Sequence, residues 1–461
     1  MNDIYDKLKE YAGQGIYPFH MPGHKRNFPA VPFLDMDITE LPGFDNLHHP
    51  TGIIREAELH AAELFGAEES FLLINGATAG VMAAVLCAAG DGGEIAMPVN
   101  CHKSVYSALI ISGARPRFFL PENLPELYVF GGVSPEKAEA LLSENPEIRA
   151  VLVTSPTYEG FVSDITALSQ ICHRRGVPLI VDEAHGAHMC FSHYFPKPAL
   201  ECGADVVIHG LHKTLPFPTQ VAAVHVQGSL IDRERLKSLL AMLQSSSPSY
   251  LLMGAADKAL SVLSESGKEL FSEYVGNLIE FRKKAEALSA VYLIGEEYIR
   301  RKGILDYDPG KLILCGRRYG VSSRVLTEKL LSRGIQAEAA GIFHVTAMTS
   351  ICDTKEGFAK LLSALSEIRP GNCDPKFLFE AALPQMVMTP KEGFYSAREK
   401  VELSGAAGRV AADFVTPYPP GVPLLVPGQQ VTEKIIEQIG VFKDAGLEFL
   451  GTDGDMISVT V

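Results

Sequence analysis

Two stretches decide the fold, PLIVDEAH at residues 178–185 and DVVIHGLHKT at residues 205–214. Each contains a continuous apolar run, which is typical of a strand covered on both faces of a parallel sheet. The first run ends at Asp182, and Lys213 follows the second. Because ligands of an open α/β sheet bind beyond the carboxyl ends of its strands, we expect both side chains at one edge of the sheet.

Outward from these stretches, apolar runs alternate with helical patterns between residues 56 and 227. This alternation predicts an α/β fold with a mostly parallel sheet and right-handed crossovers. The predicted strands are Ser70–Ile74, Glu94–Met97, Ala114–Leu120, Ala150–Thr154, Pro178–Val181, Asp205–His209 and Gln220–Val226. The predicted helices are Thr78–Ala89, His102–Ser112 and Glu136–Ser143.

Beyond residue 229 the pattern changes to longer helices and shorter strands. We predict helices over Leu230–Leu243, Ala255–Leu288, Thr354–Ile368 and Val431–Asp444, and strands over Lys311–Cys315 and Ile342–Met348. This organisation predicts an N-terminal arm at 1–40, a large domain at 41–290 and a smaller α+β domain at 291–461. The stretch TPYPPGVPLLVPG at 416–428 cannot be regular helix, so we interpret it as a linker or part of a site.

Composition excludes several classes of protein. The 461 residues are 47% hydrophobic and 21% charged, which is too apolar for a disordered chain. The net charge of −14 argues against a general nucleic-acid binder, and the charged N-terminus has no apolar core of a secretory signal. The eight scattered cysteines include no C-x-x-C pair, so we expect reduced thiols in the cytoplasm. The apolar stretch 71–90 is interrupted by Asn75, Gly76 and Thr78, which favours a strand and a helix over a membrane span.

An acid and a lysine at neighbouring strand ends are what pyridoxal phosphate chemistry requires. The Lys213 amine would form a Schiff base, and Asp182 would keep the pyridine nitrogen protonated so that the ring accepts electrons. Taken singly, a surface lysine and a helix-capping aspartate are the commoner explanations. Their order and shared context favour the cofactor.

Two more segments follow predicted strands. NGATAG at 75–80 places small residues, including Gly76, Ala77 and Thr78, where a helix N-terminus could approach a phosphate, although ordinary turns share this pattern. NCHKS at 100–104 places His102 where an imidazole could stack on a flat ring, although a polar loop histidine is the simpler alternative.

Other histidines are weaker candidates. The basic cluster HMPGHKR at 20–26 could be a solvated arm or a loop that faces an anion or substrate. His48 and His49 lack a third ligand at helical spacing, and a metal at His185 and His188 would leave Lys213 unexplained. We therefore predict no metal site.

The ordered motifs resemble the Orn/Lys/Arg decarboxylase family, a fold-type-I group of pyridoxal phosphate enzymes, in its shorter bacterial form without the extra N-terminal domain. The motifs that carry the resemblance are HMPGHK at 20–25, TELPGFDNL at 39–47, PTG at 50–52, NGATAG at 75–80, NCHKS at 100–104, DEAHG at 182–186, HKTLP at 212–216, SSPSYLLM at 246–253 and TPYPPG at 416–421.

The resemblance implies a role for each matching residue. Lys213 would hold pyridoxal 5'-phosphate, Asp182 would pair with its pyridine nitrogen, and His102 and Ala184 would cover the two ring faces. His185 would lie near the phenolic oxygen or the substrate. The phosphate would bind at Gly76, Ala77, Thr78 and His212, with Ser246 and Ser247 reaching the phosphate of a neighbouring subunit. A homodimer would then be the minimal active unit.

The family's activity implies decarboxylation of a basic amino acid, arginine before lysine and ornithine, in polyamine biosynthesis. The alternatives are an aminotransferase, lyase or aldolase of the same fold, for which Arg317, Arg318 or Arg409 could bind a carboxylate, and a cofactor-binding homologue without strong activity. The chain departs from the family pattern at Gly210, Leu211, Ala77, Val81 and Gln429, where the family usually has hydroxyl residues in the lysine motif and at 77, Asn at 81 and Glu at 429.

Overall fold

The computed structural model describes residues 3–14, 21–22, 34–299, 301, 303–373, 382–418, 421–444 and 446–461. The helices are α1 (Ile4–Gly13), α2 (Ile53–Phe65), α3 (Gly76–Ala89), α4 (Lys103–Ser112), α5 (Pro135–Glu144), α6 (Ile165–His173), α7 (Leu211–Thr214), α8 (Arg233–Leu243), α9 (Tyr250–Ala285), α10 (Ser323–Ser332), α11 (Lys355–Ser366), α12 (Pro390–Tyr395) and α13 (Glu433–Asp444).

The strands in chain order are β1 (Glu69–Leu73), β2 (Glu94–Pro98), β3 (Arg115–Phe119), β4 (Asn123–Leu124), β5 (Val129–Phe130), β6 (Ile148–Thr154), β7 (Phe161–Val162), β8 (Leu179–Asp182), β9 (Val206–His209), β10 (Ala222–Val226), β11 (Tyr292–Ile294), β12 (Asp306–Tyr307), β13 (Lys311–Cys315), β14 (Ala339–Ala340), β15 (His344–Met348), β16 (Arg398–Glu402), β17 (Thr416–Tyr418), β18 (Glu448–Leu450), β19 (Thr452–Asp453) and β20 (Met456–Thr460).

The central sheet of the described chain has seven strands in the order β1-β10-β9-β8-β6-β2-β3. The pairs from β9 to β3 are parallel, and β10 is antiparallel to both β9 and β1. Strand β1 therefore runs in the same direction as β9. The carboxyl ends of β1, β2, β6, β8 and β9 consequently lie along one edge, where the sequence places its chemically active residues.

The sequences of these strands are continuously apolar because both faces of each strand are buried. Every residue of β1, β8, β9 and β10 is buried, because helices cover both faces of the sheet. Helix α3 approaches the sheet closely, since a Cβ at Gly80 would lie 2.6 Å from Val224 and 2.8 Å from Leu73. Only glycine allows that helix to pack so near the strands.

The described residues after 291 form a four-stranded sheet, a three-stranded sheet and the two-stranded sheet β17-β18, and β12 pairs with β7 of the large domain. The sheet β11-β13-β15-β14 shares its buried side chains with the core of the large sheet, including Leu312 and Val345. The sheet β16-β20-β19 packs on a separate core that includes Leu403 and Ile457. The boundaries 1–40, 41–290 and 291–461 stay a prediction.

The expected α/β fold with a mostly parallel sheet is confirmed, and capping residues account for the largest differences in helix bounds. Helix α9 begins at Tyr250 rather than Ala255 because the Ser249 hydroxyl accepts the Leu252 N–H. Helix α8 begins at Arg233 rather than Leu230 because Asp232 caps it in the same way. Among the described residues, no helix is long and apolar enough to cross a membrane.

Candidate active site

Asp182 and Ala184 join the ends of two parallel strands. Asp182 closes β8 and is 4% exposed. Its Oδ1 accepts the Ala184 N–H at 3.2 Å, and the Ala184 carbonyl accepts the Gly210 N–H at 3.3 Å. The Asp182 carboxylate is thereby fixed at the sheet edge beside the turn that leads to Lys213.

Lys213 lies in the short helix α7 that follows β9. Its Nζ is 3.0 Å from Nε2 of His185. Burial lowers the pKa of Lys213 despite the opposing charges of Asp182 and Glu338. A lysine with a lowered pKa is more often an uncharged amine, the form that attacks a carbonyl group.

His185 contacts a second lysine that the sequence analysis did not single out. Nδ1 of His185 is 3.0 Å from Nζ of Lys311, and the ring of Tyr158 packs edge-on against the imidazole. Burial, followed by the charges of Lys311 and Lys213, holds the pKa of His185 well below its usual value, so the ring is neutral. Lys311 begins the apolar run KLILC, a position where a lysine is unusual, but no local motif connects it to His185.

His102 is the N-cap of α4 at the end of β2. Its Nδ1 accepts the Ser104 backbone N–H at 3.2 Å, which leaves the ring proton on Nε2. Burial lowers the pKa of His102; the charge of Asp182 opposes this change, and that of Lys213 adds to it. The prediction of a helix beginning at His102 is therefore shifted by one residue, since the side chain itself caps the helix.

The first turn of α3 has the features of an anion site. Gly76 has a φ of +77°, a conformation that L side chains rarely adopt. The N-cap residue Asn75 makes no side-chain capping bond within the described chain, and Thr78 is exposed. The backbone N–H groups of this turn, including that of Ala77, therefore remain available to bind a phosphate.

His212 has a fixed hydrogen-bond direction. Its Nδ1 donates to the Val221 carbonyl at 2.9 Å, because a carbonyl oxygen can only accept. In the neutral ring, Nε2 then has no proton to donate. If the predicted phosphate contact of His212 is made by Nε2, it requires the imidazolium, the form in which both ring nitrogens carry a proton.

Ser246 and Ser247 are exposed on the loop between α8 and α9. This loop is held beside the first turn of α3, because the Ser245 N–H donates to Asn75 Oδ1 at 3.4 Å. His48 Nε2 donates to the Ser245 carbonyl at 2.8 Å, so that histidine is engaged in holding the loop. The reach of both serines to a second subunit stays a prediction.

Three of the departures from the family pattern, those at Gly210, Leu211 and Gln429, have local structural explanations. A Cβ at Gly210 would lie 2.9 Å from the Ala184 carbonyl oxygen and 3.1 Å from Lys213 Cδ, so a side chain there would force a shift. Leu211 is fully buried in the core. Gln429 is 4% exposed, and its Oε1 accepts the Val426 N–H at 3.2 Å, a bond that needs no charge.

The three arginines considered as carboxylate ligands have other partners. Arg317 lies 4.0 Å from the centre of the Phe343 ring, and Arg318 lies 4.2 Å from that of Tyr292. Arg409 pairs with Glu399 at 2.6 Å. Of the cluster at 20–26, only Met21 and Pro22 lie within the described residues, and residues 419–420 of the TPYPPG motif also lie outside them.

Residues 2–356 match the model of the Orn/Lys/Arg decarboxylase major domain, and residues 375–459 match that of the C-terminal domain. The chain belongs to the Orn/Lys/Arg decarboxylase family. Similar family members include the arginine decarboxylases of Bacillus subtilis and Halalkalibacterium halodurans, each 33% identical over 98% of this chain and 95% of the relative. The resemblance stated from the motifs is thereby confirmed.

Solved structures confirm the fold of this family member. A lysine decarboxylase from Francisella novicida superposes with a TM-score of 0.83 at 18% identity, over all of this chain and 81% of the other. An alanine–glyoxylate aminotransferase from a Nostoc species superposes with a TM-score of 0.57 at 15% identity, over 72% of this chain and 89% of the other. At such identities the likeness shows the shared architecture alone.

Proposed function

We propose that this protein removes the α-carboxylate of a basic amino acid, arginine before lysine and ornithine, with pyridoxal 5'-phosphate as cofactor. The products are the corresponding amine and carbon dioxide. The observation that carries the proposal is the Lys213 amine held at the sheet edge by His185, beside Asp182, in a chain of the decarboxylase family. The arginine decarboxylases among its relatives support arginine as the first substrate to test.

The residues present fit this cofactor. The first turn of α3 has N–H groups for a phosphate, and the carboxylate of Asp182 suits a protonated ring nitrogen. The buried Asn100 Oδ1 has no hydrogen-bond partner among the described residues, as expected beside a group that binds from outside the chain. His102 and Ala184 would cover the ring faces. When bound, the cofactor supplies a conjugated ring that accepts the electrons left by the departing carboxylate.

Side chains of the protein then hold and transfer the protons, and the apolar strands exclude water. Asp182 holds a proton at the ring nitrogen, and Lys213 Nζ supplies the proton that replaces the carboxylate at Cα. Neutral His185 keeps that amine in place through its 3.0 Å contact. The apolar strands beneath the site exclude water, which strengthens each of these interactions.

Glu338 supports a substrate with a cationic side chain. Its side chain is exposed, and Tyr158 donates a hydrogen bond to its Oε1 at 3.1 Å. Its charge acts on both Lys213 and Lys311, which places the carboxylate near the reacting amine. The guanidinium or ammonium group of a basic substrate could pair with this exposed carboxylate.

We also propose a cytoplasmic homodimer that serves polyamine synthesis. The cysteines are free, which suits a reducing compartment. A dimer whose sites use Ser246 and Ser247 of the neighbour can be tested by mixing inactive Lys213→Ala with inactive Ser246→Trp. Recovery of activity on mixing would support sites shared between subunits, and continued inactivity of verified mixed dimers would contradict them.

The experiment that tests the activity supplies the purified protein and pyridoxal phosphate with arginine, lysine or ornithine separately. We expect amine and carbon dioxide in equal amounts, with arginine fastest, and loss of both products together with the aldimine absorbance in Lys213→Ala. Keto-acid formation would favour an aminotransferase. An aldimine band without any product would remove basic amino-acid decarboxylation and favour a lyase, an aldolase or an inactive homologue.

A further inference from the structure

The imidazole of His185 lies between two amines. Lys213 Nζ is 3.0 Å from Nε2, and Lys311 Nζ is 3.0 Å from Nδ1. The two lysines come from different sheets, since Lys213 follows β9 and Lys311 begins β13. The contact therefore connects the reacting end of the central sheet with the second sheet.

The side chain of Lys311 is closely packed along its length, in a narrow channel beside Gly160. Its side chain is 1% exposed, and its stem passes Gly160, where a Cβ would lie 2.9 Å from Lys311 Cγ. Both backbone polar groups of Lys311 are hydrogen-bonded. Its N–H donates to the Asp308 carbonyl, and its carbonyl accepts a hydrogen bond from the Tyr307 hydroxyl at 2.6 Å. A buried amine held so closely has few positions open to it other than the contact with His185.

Proton counting restricts the state of this triad. A neutral imidazole has one N–H and one lone pair, so it can accept from one amine and must donate to the other. An ammonium group has no lone pair and can only donate. When both contacts are hydrogen bonds, the lysine that accepts from the imidazole N–H must therefore be a neutral amine, and the other lysine donates to the lone pair of the ring and is the one that can hold the charge.

The surrounding charges allow either lysine to hold the proton. Lys311 faces Asp308, Glu159 and Glu338, whereas Lys213 faces Asp182 and again Glu338. Burial lowers the pKa of Lys311 to about 8, so its amine exchanges a proton near neutral pH. The groups that act on His185 besides the lysines are His102 and His212.

We propose that Lys311 accepts, through His185, the proton that Lys213 must lose to become a nucleophile. In this transfer Lys213 Nζ gives a proton to Nε2, and Nδ1 gives its proton to Lys311 Nζ. The charge moves from Lys213 to Lys311, and the His185 proton moves from Nδ1 to Nε2. Lys311 is thus a positioning residue for the proton and acts through His185.

The protonation of Lys213 is measurable without cofactor, so its test does not depend on the proposed activity. The pH midpoint of Lys213 acetylation by acetic anhydride would be followed by mass spectrometry in the cofactor-free protein. Lys311→Met, which keeps the stem along Gly160, should raise this midpoint by about one unit, since Lys213 then has no amine to take its proton. At a pH below the midpoint, this corresponds to about tenfold slower labelling.

A double-mutant cycle that combines Lys311→Met with His185→Leu separates proton transfer through the imidazole from a direct electrostatic effect of Lys311 on Lys213. In that background, Lys311→Met should shift the Lys213 midpoint by less than about 0.3 unit. An unchanged midpoint in Lys311→Met, or an equal shift in both backgrounds, would overturn the proposal. Lys258→Met, which removes an exposed lysine paired with Asp3 and Asp6, is the matched control and should leave the midpoint unchanged.

Lys311→Arg provides a second variant with the opposite sign. An arginine stays charged and cannot accept a proton, so it would donate permanently to Nδ1 and leave Nε2–H facing a neutral Lys213. The labelling midpoint should fall, and the rate of aldimine formation with added pyridoxal phosphate should rise at pH 7. A rise of the midpoint in both Lys311 variants would indicate a merely structural role and would contradict proton transfer.

Discussion

Two buried acid–histidine pairs near the site have the same chemistry but opposite protonation. Glu183 is 2.8 Å from His209 Nε2, and Asp308 is 3.2 Å from His188 Nε2. Burial raises the pKa of Glu183 to about 8. Burial would also raise that of Asp308, but the charge and hydrogen bond of His188, the charge of Lys311 and the Gly310 N–H together lower it.

The difference shows that the charges beside a buried carboxylate decide its state. Burial lowers the pKa of His209 to about 3, so that ring brings no positive charge to Glu183. Asp308 instead has the charge and the hydrogen bond of His188, and the ammonium of Lys311 adds to them in favouring the carboxylate. The pair at Glu183 is therefore a neutral link between strands, and the pair at Asp308 is a charged support for the Lys311–His185–Lys213 contact.

Removing the Asp308 charge should have the largest effect. Asp308→Asn leaves Lys311 as a buried cation without the carboxylate whose charge acts on it most strongly, which should cost about 3 kcal/mol in the free energy of unfolding at pH 7. Urea unfolding would measure this cost. Glu183→Gln is the matched control, and an equal loss in both variants would contradict the contrast between the two pairs.

Lys311 should give stability a dependence on alkaline pH. Its pKa is about 8 in the folded protein against an ordinary 10.5, so the unfolded chain binds more protons between these values. The contribution of Lys311 to the free energy of unfolding therefore increases as pH rises from 8 to 10.5, and this gain is lost as pH falls. Relative to Lys311→Met, the free energy of unfolding of the wild type should rise by roughly 2–3 kcal/mol across this window. Urea unfolding at each pH would measure it. A difference between the two proteins that does not change with pH would contradict the prediction.

Closing the channel of Lys311 should have an intermediate effect. Gly160→Ala places a methyl group against Lys311 Cγ at a residue with a φ of +103°, so both strain and a clash oppose folding. We expect a loss of about 2 kcal/mol. Gly92→Ala, with a φ of +63° and open space around it, controls for backbone strain alone and should lose about 1 kcal/mol. Equal losses would show that the channel is not tightly fitted.

Neutralising Glu183 should have the smallest effect. At pH 5, Glu183→Gln should change the free energy of unfolding by less than about 1 kcal/mol, because the folded wild type already holds a proton there. As pH rises from 4.5 to 8, the unfolded wild type releases that proton and the folded state retains it, so wild-type stability falls relative to the variant. A variant whose relative stability worsens with rising pH would show that Glu183 is ionised.

Sequence patterns predicted the part of the site that strand ends assemble. Asp182, His102 and the first turn of α3 each follow an apolar run, and a mostly parallel sheet brings such ends to one edge. The short helix of Lys213 follows the same rule. Strand β10 was predicted, but its antiparallel direction was not, because it lies in the interior of the sheet and its apolar sequence resembles that of the parallel strands.

The contact between Lys311 and His185 could not be predicted, because 126 residues separate them and neither lies in a motif with the other. The same holds for Glu338, whose nearness to Lys213 depends on how the second sheet meets the first.

The sequence by itself determined the α/β fold, the family and the candidate Schiff-base lysine, because apolar periodicity and short motifs are local properties of the chain. Only the tertiary structure decided which groups share a proton and which buried acids are charged. Those states depend on burial and on charges that distant segments bring within a few ångströms, and neither is written in the local sequence.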